Sequence, residues 1–281
     1  MSADLYLDYY ALAAAPFALT AQAPVFYEGA SRGDILRALR HALVHEQGIV
    51  LVVGEVGTGK SALCRKLLQE PPQTLDLAYI PQPSFSRTEL LEAICRDLGI
   101  ADLRPTALEA LQRSLIERHG RGRHVAVLID EAHLMPQEAL EEVRLLTNLE
   151  TAAGKLLTLA LFAQPELLRS LAQPPLRALR DRIAQLFELQ PLRPAEVADY
   201  VDFRLRAAGY CGDRLFEPAA IRRLARRSGG RHRPIHLIAD RALLACFSRG
   251  GRVVTARDVA RSERDLDLRP PRRWRWLPGL R

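Results

Sequence analysis

With 281 residues, 48% of them hydrophobic, the chain has enough apolar material for one large domain and a smaller one, each with a core. Its four cysteines, Cys64, Cys95, Cys211 and Cys246, form no CxxC pair, so they read as reduced thiols of a cytosolic protein and exclude a disulfide framework. The net charge of +7 is uneven: residues 217–281 hold 17 Lys and Arg against 6 Asp and Glu, while the rest of the chain is slightly acidic, which suits an acidic partner for the last quarter.

The first residues carry Asp4 and Asp8, no positive n-region and no continuous apolar run, which argues against a signal peptide. No apolar stretch approaches the length of a membrane span; Leu156–Ala163 is among the longest. Gly48–Val53 is short, β-branched and continuously apolar, the mark of a strand buried on both faces of a parallel sheet. After it comes GEVGTGKS, and then a helical spacing of Ala62, Leu63, Leu67 and Leu68 that ends at Pro71-Pro72. A glycine loop between a strand and a helix is a phosphate cradle. Gly54, Glu55, Val56, Gly57, Thr58, Gly59, Lys60, Ser61 and Ala62 are expected to surround the phosphates with backbone N–H groups at a helix start. Lys60 is expected to reach the β- and γ-phosphates of a nucleoside triphosphate, and Ser61 to hold Mg²⁺.

Thr74–Ile80 reads as a second strand, followed by helices over 87–99 and 107–120. Val125–Ile129 is a third, ending in Asp130-Glu131. Asp130 is placed for the Mg²⁺ shell, and Glu131 to orient or deprotonate the attacking water. A helix over Pro136–Leu149, a strand over Lys155–Gln164, a further helix and a strand over Ala184–Leu189 complete a β–α alternation. It predicts an α/β fold: a five-stranded parallel sheet with helices on both faces. Ligands of such sheets bind outside the carboxyl ends of the strands, where Gly54, Asp130 and Gln164 all fall. From Pro191 no strand pattern remains. Helices over Pro194–Ala208, Pro218–Ser228, Pro234–Ser248 and Thr255–Leu266 predict a small all-helical lid. The expected division is an N-terminal segment 1–47 packing on the core, a nucleotide-binding domain 48–190, a lid 191–267 and a basic tail 268–281. In that tail Trp and Arg together suit a membrane interface or an acidic groove.

Several phrases carry a closer likeness: YYALAAAPFALT with FYEGASR, GEVGTGKSALCRKLL, LIDEAHLMPQEALEEVRLLTNLET, LFAQPELLRSLAQ, LRALRDRIAQLFELQPL and ADRALLACF. Together they resemble the P-loop NTPases of the AAA+ class. Within it they resemble the general-secretion-pathway A-type ATPases, and most closely the ATPase of mannose-sensitive haemagglutinin (type IV) pilus biogenesis. The resemblance implies an ATP- and Mg²⁺-dependent ATPase that is cytoplasmic, peripheral to the inner membrane, and acts on a pilus or secretion assembly. It implies that Gln164 senses the γ-phosphate. It also implies a homo-oligomer in which an arginine finger, Arg182 with Arg180 as the alternative, enters the neighbouring subunit's site. Arg233 aligns with the lid arginine of the family's GGxPR phrase, although its proline has moved to the other side; Arg231 is the alternative. His236 is expected to pack within the lid, and His133, where the family commonly has Gln, to bind no metal. Relatives often continue into a membrane span. This chain stops at Arg281, as a short free-standing member does, or a fragment ending before a span. The letters DEAH at 130–133 also spell a helicase box, but that family needs two tandem lobes.

Two other functions fit the same core. Arg222, Arg223, Arg226 and Arg227 line one helix face, as a DNA-binding AAA+ transposition helper would need, although no base-reading element accompanies them; weak, sequence-blind contact with nucleic acid is the expectation. A slow, nucleotide-gated scaffold is the third reading.

Overall fold

The apolar run at Ile49–Gly54 forms β1, with every residue buried. The computed structural model describes residues 4–18, 26–45, 48–83, 86–151 and 154–266; the tail 268–281, with its expected Trp and Arg interface, lies outside them. Two units are described in turn: residues 23–192, and residues 1–22 with 193–281.

In the first unit, β1 joins β2 (Leu75–Ile80), β3 (His124–Ile129), β4 (Leu157–Ala163) and β5 (Ile183–Leu189) in one sheet of order β2-β3-β4-β1-β5. Every pair is parallel, as the alternation predicts. The innermost strands are the most apolar ones: all seven residues of β4 are buried, whereas the edge strand β5 alternates and leaves Leu186 exposed. One face packs Ile49, Leu51, Val53 and Leu159 beneath α3 (Arg87–Asp97), α4 (Ala107–Gly120) and α5 (Gln137–Leu146). The other packs Val50, Val52, Ala160 and Phe162 beneath α1 (Arg32–His45) and α2 (Lys60–Gln69).

Several elements differ from the sequence reading. The strand expected over Lys155–Gln164 is Leu157–Ala163, because Gly154-Lys155 pairs antiparallel with Glu150-Thr151 instead. The helix expected over Pro136–Leu149 stops at Leu146, where Thr147 turns its hydroxyl back onto the Arg144 carbonyl. Arg32–His45, read only as part of a packing segment, is a full helix of 14 residues.

After the short helices α6 (Glu166–Leu171) and α7 (Arg177–Arg180) of the first unit, the second unit carries α8 (Pro194–Ala207), α9 (Pro218–Ser228), α10 (His232–Ser248) and α11 (Ala256–Leu266). Proline at N1 starts α8 and α9, where no backbone N–H is needed, and left-handed Gly229 stops α9. α10 begins two residues before the expected Pro234. On α9 the buried face is Ala220, Leu224 and Ala225; Arg222, Arg226 and Arg227 are exposed and Arg223 is half-buried.

The expectation that residues 1–47 pack together on the nucleotide-binding core is corrected. Residues up to Gln22 belong with the C-terminal helices; only the segment carrying α1 belongs with the sheet. The reason is aromatic. Tyr6 is fully buried and its hydroxyl bonds the Asp240 carboxylate on α10. The Tyr10 hydroxyl donates to the Gly251 carbonyl at 3.1 Å, and Phe17 meets Phe216 and His236 edge-on. The main chain joins in, with Ala13 N–H donating to the Ala208 carbonyl at 2.8 Å. His236 packs as expected: its Nε2 lies 2.6 Å from the Tyr200 hydroxyl, and burial pulls its pKa down to about 4. Among the described residues no helix is long and apolar enough to cross a membrane.

Candidate nucleotide site

β1 delivers the loop 54–59 to the carboxyl edge of the sheet, and α2 starts at Lys60. Gly57 (φ 80°) and Gly59 (φ 106°) occupy the left-handed region, which the tight turn requires and side chains resist. Gly54 is needed for a different reason. A Cβ there would stand 2.5 Å from Thr58 Oγ1 and 2.8 Å from the Leu189 carbonyl oxygen. Thr58 is fully buried and ties the loop to itself, its hydroxyl donating to the Glu55 carbonyl at 2.9 Å.

No side chain caps the start of α2. The first N–H groups of any helix lack intrahelical partners, so those of Lys60, Ser61 and Ala62 are donors aimed at the loop's concave side. Lys60 is 5% exposed, and its Nζ donates to the Gly54 and Glu55 carbonyls at 2.6 and 3.2 Å. Burial draws its pKa below the ordinary lysine range; the carboxylates of Glu131, Asp130, Glu55 and Glu166 pull it partly back. An ammonium folded onto its own loop, beside uncapped donors and surrounded by carboxylates, fits a phosphate group that would draw the ammonium outward.

Asp130, Gln164 and Gly54 end three adjacent strands, β3, β4 and β1, and Val53 pairs with Ala163 in register. Asp130 is 3% exposed. Its carboxylate accepts the Glu131 N–H at 2.9 Å, and its charge is felt by Tyr79 near the end of β2. Burial raises the Tyr79 phenol to about 12 and pushes the nearby Cys64 thiol far up, so both stay neutral beside the carboxylate. A buried carboxylate and the Ser61 hydroxyl are hard oxygen donors of the kind Mg²⁺ takes.

Glu131 stands in the left-handed region (φ 51°, ψ 34°), at a cost of about 1 kcal/mol for a residue other than glycine. The turn leaves its side chain 35% exposed at the mouth of the site. There Gln164 and His133 meet it. His133 Nε2 lies 2.6 Å from Gln164 Nε2, and both atoms lie 3.5 Å from Glu131 Oε2. Motif reading passed over Tyr79 and Arg32, and gave His133 no role at the site. Arg32 is 3% exposed and donates to the Thr58 carbonyl at 3.3 Å and the Gln190 carbonyl at 3.0 Å, pinning the loop to the chain after β5. The phrase FYEGASR held the signal for Arg32, and the place of His133 two residues after Glu131 held the signal for the other.

Of the expected arginines, Arg182 and Arg180 stand in the first unit and Arg233 and Arg231 in the second. Arg182 is exposed at the amino end of β5, where its carbonyl accepts the Ile49 N–H at 3.0 Å, at the opposite end of β1 from the loop. Arg180, also exposed, stands 3.8 Å from Asp181. Arg233 and Arg231 belong to the second unit. Arg233 is exposed on the first turn of α10, and Arg231, the residue before that helix, donates from its Nε to the Ser228 carbonyl at 3.4 Å.

Residues 36–171 match the AAA domain family. Over 261 residues the chain is 40% identical to General secretion pathway protein A of Aeromonas hydrophila, covering 91% of this chain and 47% of that protein. It is 33% identical over 144 residues to the Mu-like prophage FluMu DNA transposition protein B of Haemophilus influenzae, covering 50% of this chain and 47% of that one. The chain thus spans about half the length of each. Among solved structures, the Aeropyrum pernix ORC2 protein superposes with a TM-score of 0.66 at 16% identity, over 88% of this chain and 70% of that one.

Proposed function

The chain has the P-loop AAA+ fold and is similar to General secretion pathway protein A over most of its length, and from this premise we propose that it binds and hydrolyses ATP with Mg²⁺. The observation that carries the reading is the convergence of Lys60, Asp130, Glu131 and Gln164 at the ends of three neighbouring strands. Lys60 and the loop N–H groups hold the β- and γ-phosphates. Ser61 and Asp130 would hold Mg²⁺, which would supply charge neutralisation at the transferred phosphoryl. Glu131 orients the attacking water and accepts its proton, and Gln164 senses the γ-phosphate. Arg182 acts on the site of a second copy, and Arg233 is the nucleotide-responsive arginine of the helical unit. The work done is rearrangement of a secretion or type IV pilus assembly at the inner membrane, where the chain is peripheral.

Two variants test the enzyme. Lys60→Ala loses the counter-charge and should bind ATP poorly, whereas Glu131→Gln keeps every phosphate contact and should bind ATP while turnover falls by roughly 100-fold or more. Wild-type binding and turnover in Lys60→Ala would remove the phosphate-loop assignment.

A second reading has its own support. The likeness to a DNA transposition protein and the exposed arginines of α9 favour a DNA-dependent ATPase. On the leading reading, DNA binds weakly and without sequence preference, and is lost steeply as salt rises, because phosphate contacts release counterions. Tight binding at physiological salt with several-fold stimulation of ATPase would favour the second.

A further inference from the structure

Glu131 and Gln164 do not meet alone. The ring of His133 is wedged between them, with a side-chain exposure of 10%. Its Nε2 touches the Gln164 side-chain amide at 2.6 Å, and its Nδ1 lies 3.5 Å from the Gln164 backbone N–H. Glu131 Oε2 is 3.5 Å from both the ring and the amide. The amide offers a donor at one end and an acceptor at the other, so it satisfies Nε2 in either neutral tautomer. With the ring proton on Nδ1, the one Gln164 NH2 group donates to Nε2 and faces Glu131 Oε2 at once, which fixes where the amide sits. In the chain, Gln164 joins the strand end at Ala163 to the short helix Glu166–Leu171. Among the described residues, no polar side chain besides His133 and Glu131 is recorded in hydrogen-bond contact with the amide.

Resting on the ATPase reading, we propose that His133 is a positioning residue: it anchors the Gln164 amide beside Glu131, so that sensing of the γ-phosphate and activation of water work as one unit. A glutamine side chain has three rotatable bonds and, left free, spreads over many rotamers. One strong contact at the amide selects the rotamer that places it next to the carboxylate. When a γ-phosphate competes for one end of the amide, the ring still holds the other. Glu131, at 3.5 Å from both groups, then closes on either one without its backbone moving. The role is not to bind nucleotide: among the described residues, the hydrogen bonds of the ring go to Gln164 and its ion pair to Glu131, not to the loop 54–62 or Asp130.

This predicts a specific pattern. His133→Ala should leave ATP affinity within about twofold of wild type and slow the single-turnover step roughly tenfold, the size expected for losing one hydrogen bond that orders a reacting group. His133→Gln, which keeps a donor and an acceptor, should recover most of that loss. Gln164→Ala should slow the same step, and in the double variant His133→Ala should cost almost nothing further, because the group it positions is gone. A ring that merely fills space would instead slow both backgrounds equally, and His133→Gln would not rescue. If His133→Ala does not fold, His133→Phe keeps the ring volume without a polar atom and enters the same cycle.

A measurement without nucleotide tests the contact itself. The imidazole ¹⁵N resonances of His133 should move in Gln164→Ala, since its Nε2 partner is removed; unchanged resonances overturn the proposal. Costs that multiply independently in the double variant, with a wild type that turns over, overturn the positioning role and leave the ATPase reading standing. A wild type that binds ATP and does not hydrolyse it overturns the ATPase reading, and the positioning role falls with it.

Discussion

Gly54→Ala adds a single methyl group beneath the phosphate loop, and the geometry sets what it does. The new Cβ would meet Thr58 Oγ1 at 2.5 Å, the Leu189 carbonyl oxygen at 2.8 Å and Leu189 Cβ at 3.0 Å. Thr58 can rotate, but only by giving up its bond to the Glu55 carbonyl. The Leu189 oxygen belongs to the main chain of β5, which pairs with β1 at Gly54↔Leu189 and cannot retreat without opening that register. Overpacking of this kind costs about 1–3 kcal/mol. Part of the strain falls on the loop, since Lys60 is anchored to the Gly54 carbonyl at 2.6 Å. The expected outcome is a chain that folds with a midpoint lowered by several degrees and binds a fluorescent ATP analogue at least tenfold more weakly. Gly120→Ala is the control: nothing lies within 4 Å of its Cβ, at the last residue of a helix, and it should leave affinity unchanged. A Gly54→Ala protein with wild-type midpoint and affinity would refute the claim that close approach at β5 shapes the loop.

Two further outcomes can be measured directly. His236 has a folded pKa of about 4 against 6.5 unfolded, so the unfolded chain binds the extra proton first as pH falls: the stability tied to this group is present above pH 6.5 and lost towards pH 4. Between pH 7 and pH 5 that loss is about 2 kcal/mol in urea unfolding of the helical unit, and His236→Asn should remove that pH-dependence; an equal pH response in both proteins would assign it to other groups. Arg182→Ala should bind ATP normally and hydrolyse poorly, and mixing it with Lys60→Ala should restore partial activity at junctions where an intact loop faces an intact finger. Full activity of Arg182→Ala alone removes the assignment, and loss without recovery on mixing turns attention to Arg180.

The parallel sheet was legible because its inner strands are apolar on both faces: nothing but a doubly covered position accommodates Val50 and Leu51 side by side. The ends of those strands were legible for the same reason, since Gly54, Asp130 and Gln164 interrupt apolar runs. Contacts between residues distant in sequence were not. Tyr79 reads as one more strand aromatic until β2 and β3 pair and bring it under the influence of the Asp130 charge. His133 reads as a replaced glutamine until β4 brings Gln164 alongside it. Arg32 lies 26 residues from Thr58 and 158 from Gln190, and no periodicity joins those three places. The N-terminal segment misled for a related reason. Tyr6, Tyr10 and Phe17 are plainly core residues by type, but type does not say whose core, and their partners lie more than 190 positions further on.

The position of Arg182 bears on how hydrolysis could be controlled. Its carbonyl bonds Ile49 at the amino end of β1, and the loop leaves from Gly54 at the other end, five residues along a strand, or about 17 Å at 3.3 Å per residue. An arginine side chain spans well under half of that, so Arg182 cannot reach the phosphate loop of its own chain while the sheet is intact. The cis alternative for Arg182 is thereby excluded by geometry, and a catalytic role for it requires a second copy. On the proposed reading a single chain binds ATP with Lys60 and the helix start, all of which it supplies itself, and holds the nucleotide with little turnover. Assembly, and not nucleotide binding, would then be the step that commits ATP to hydrolysis. That makes turnover per subunit rise with protein concentration while ATP affinity stays constant.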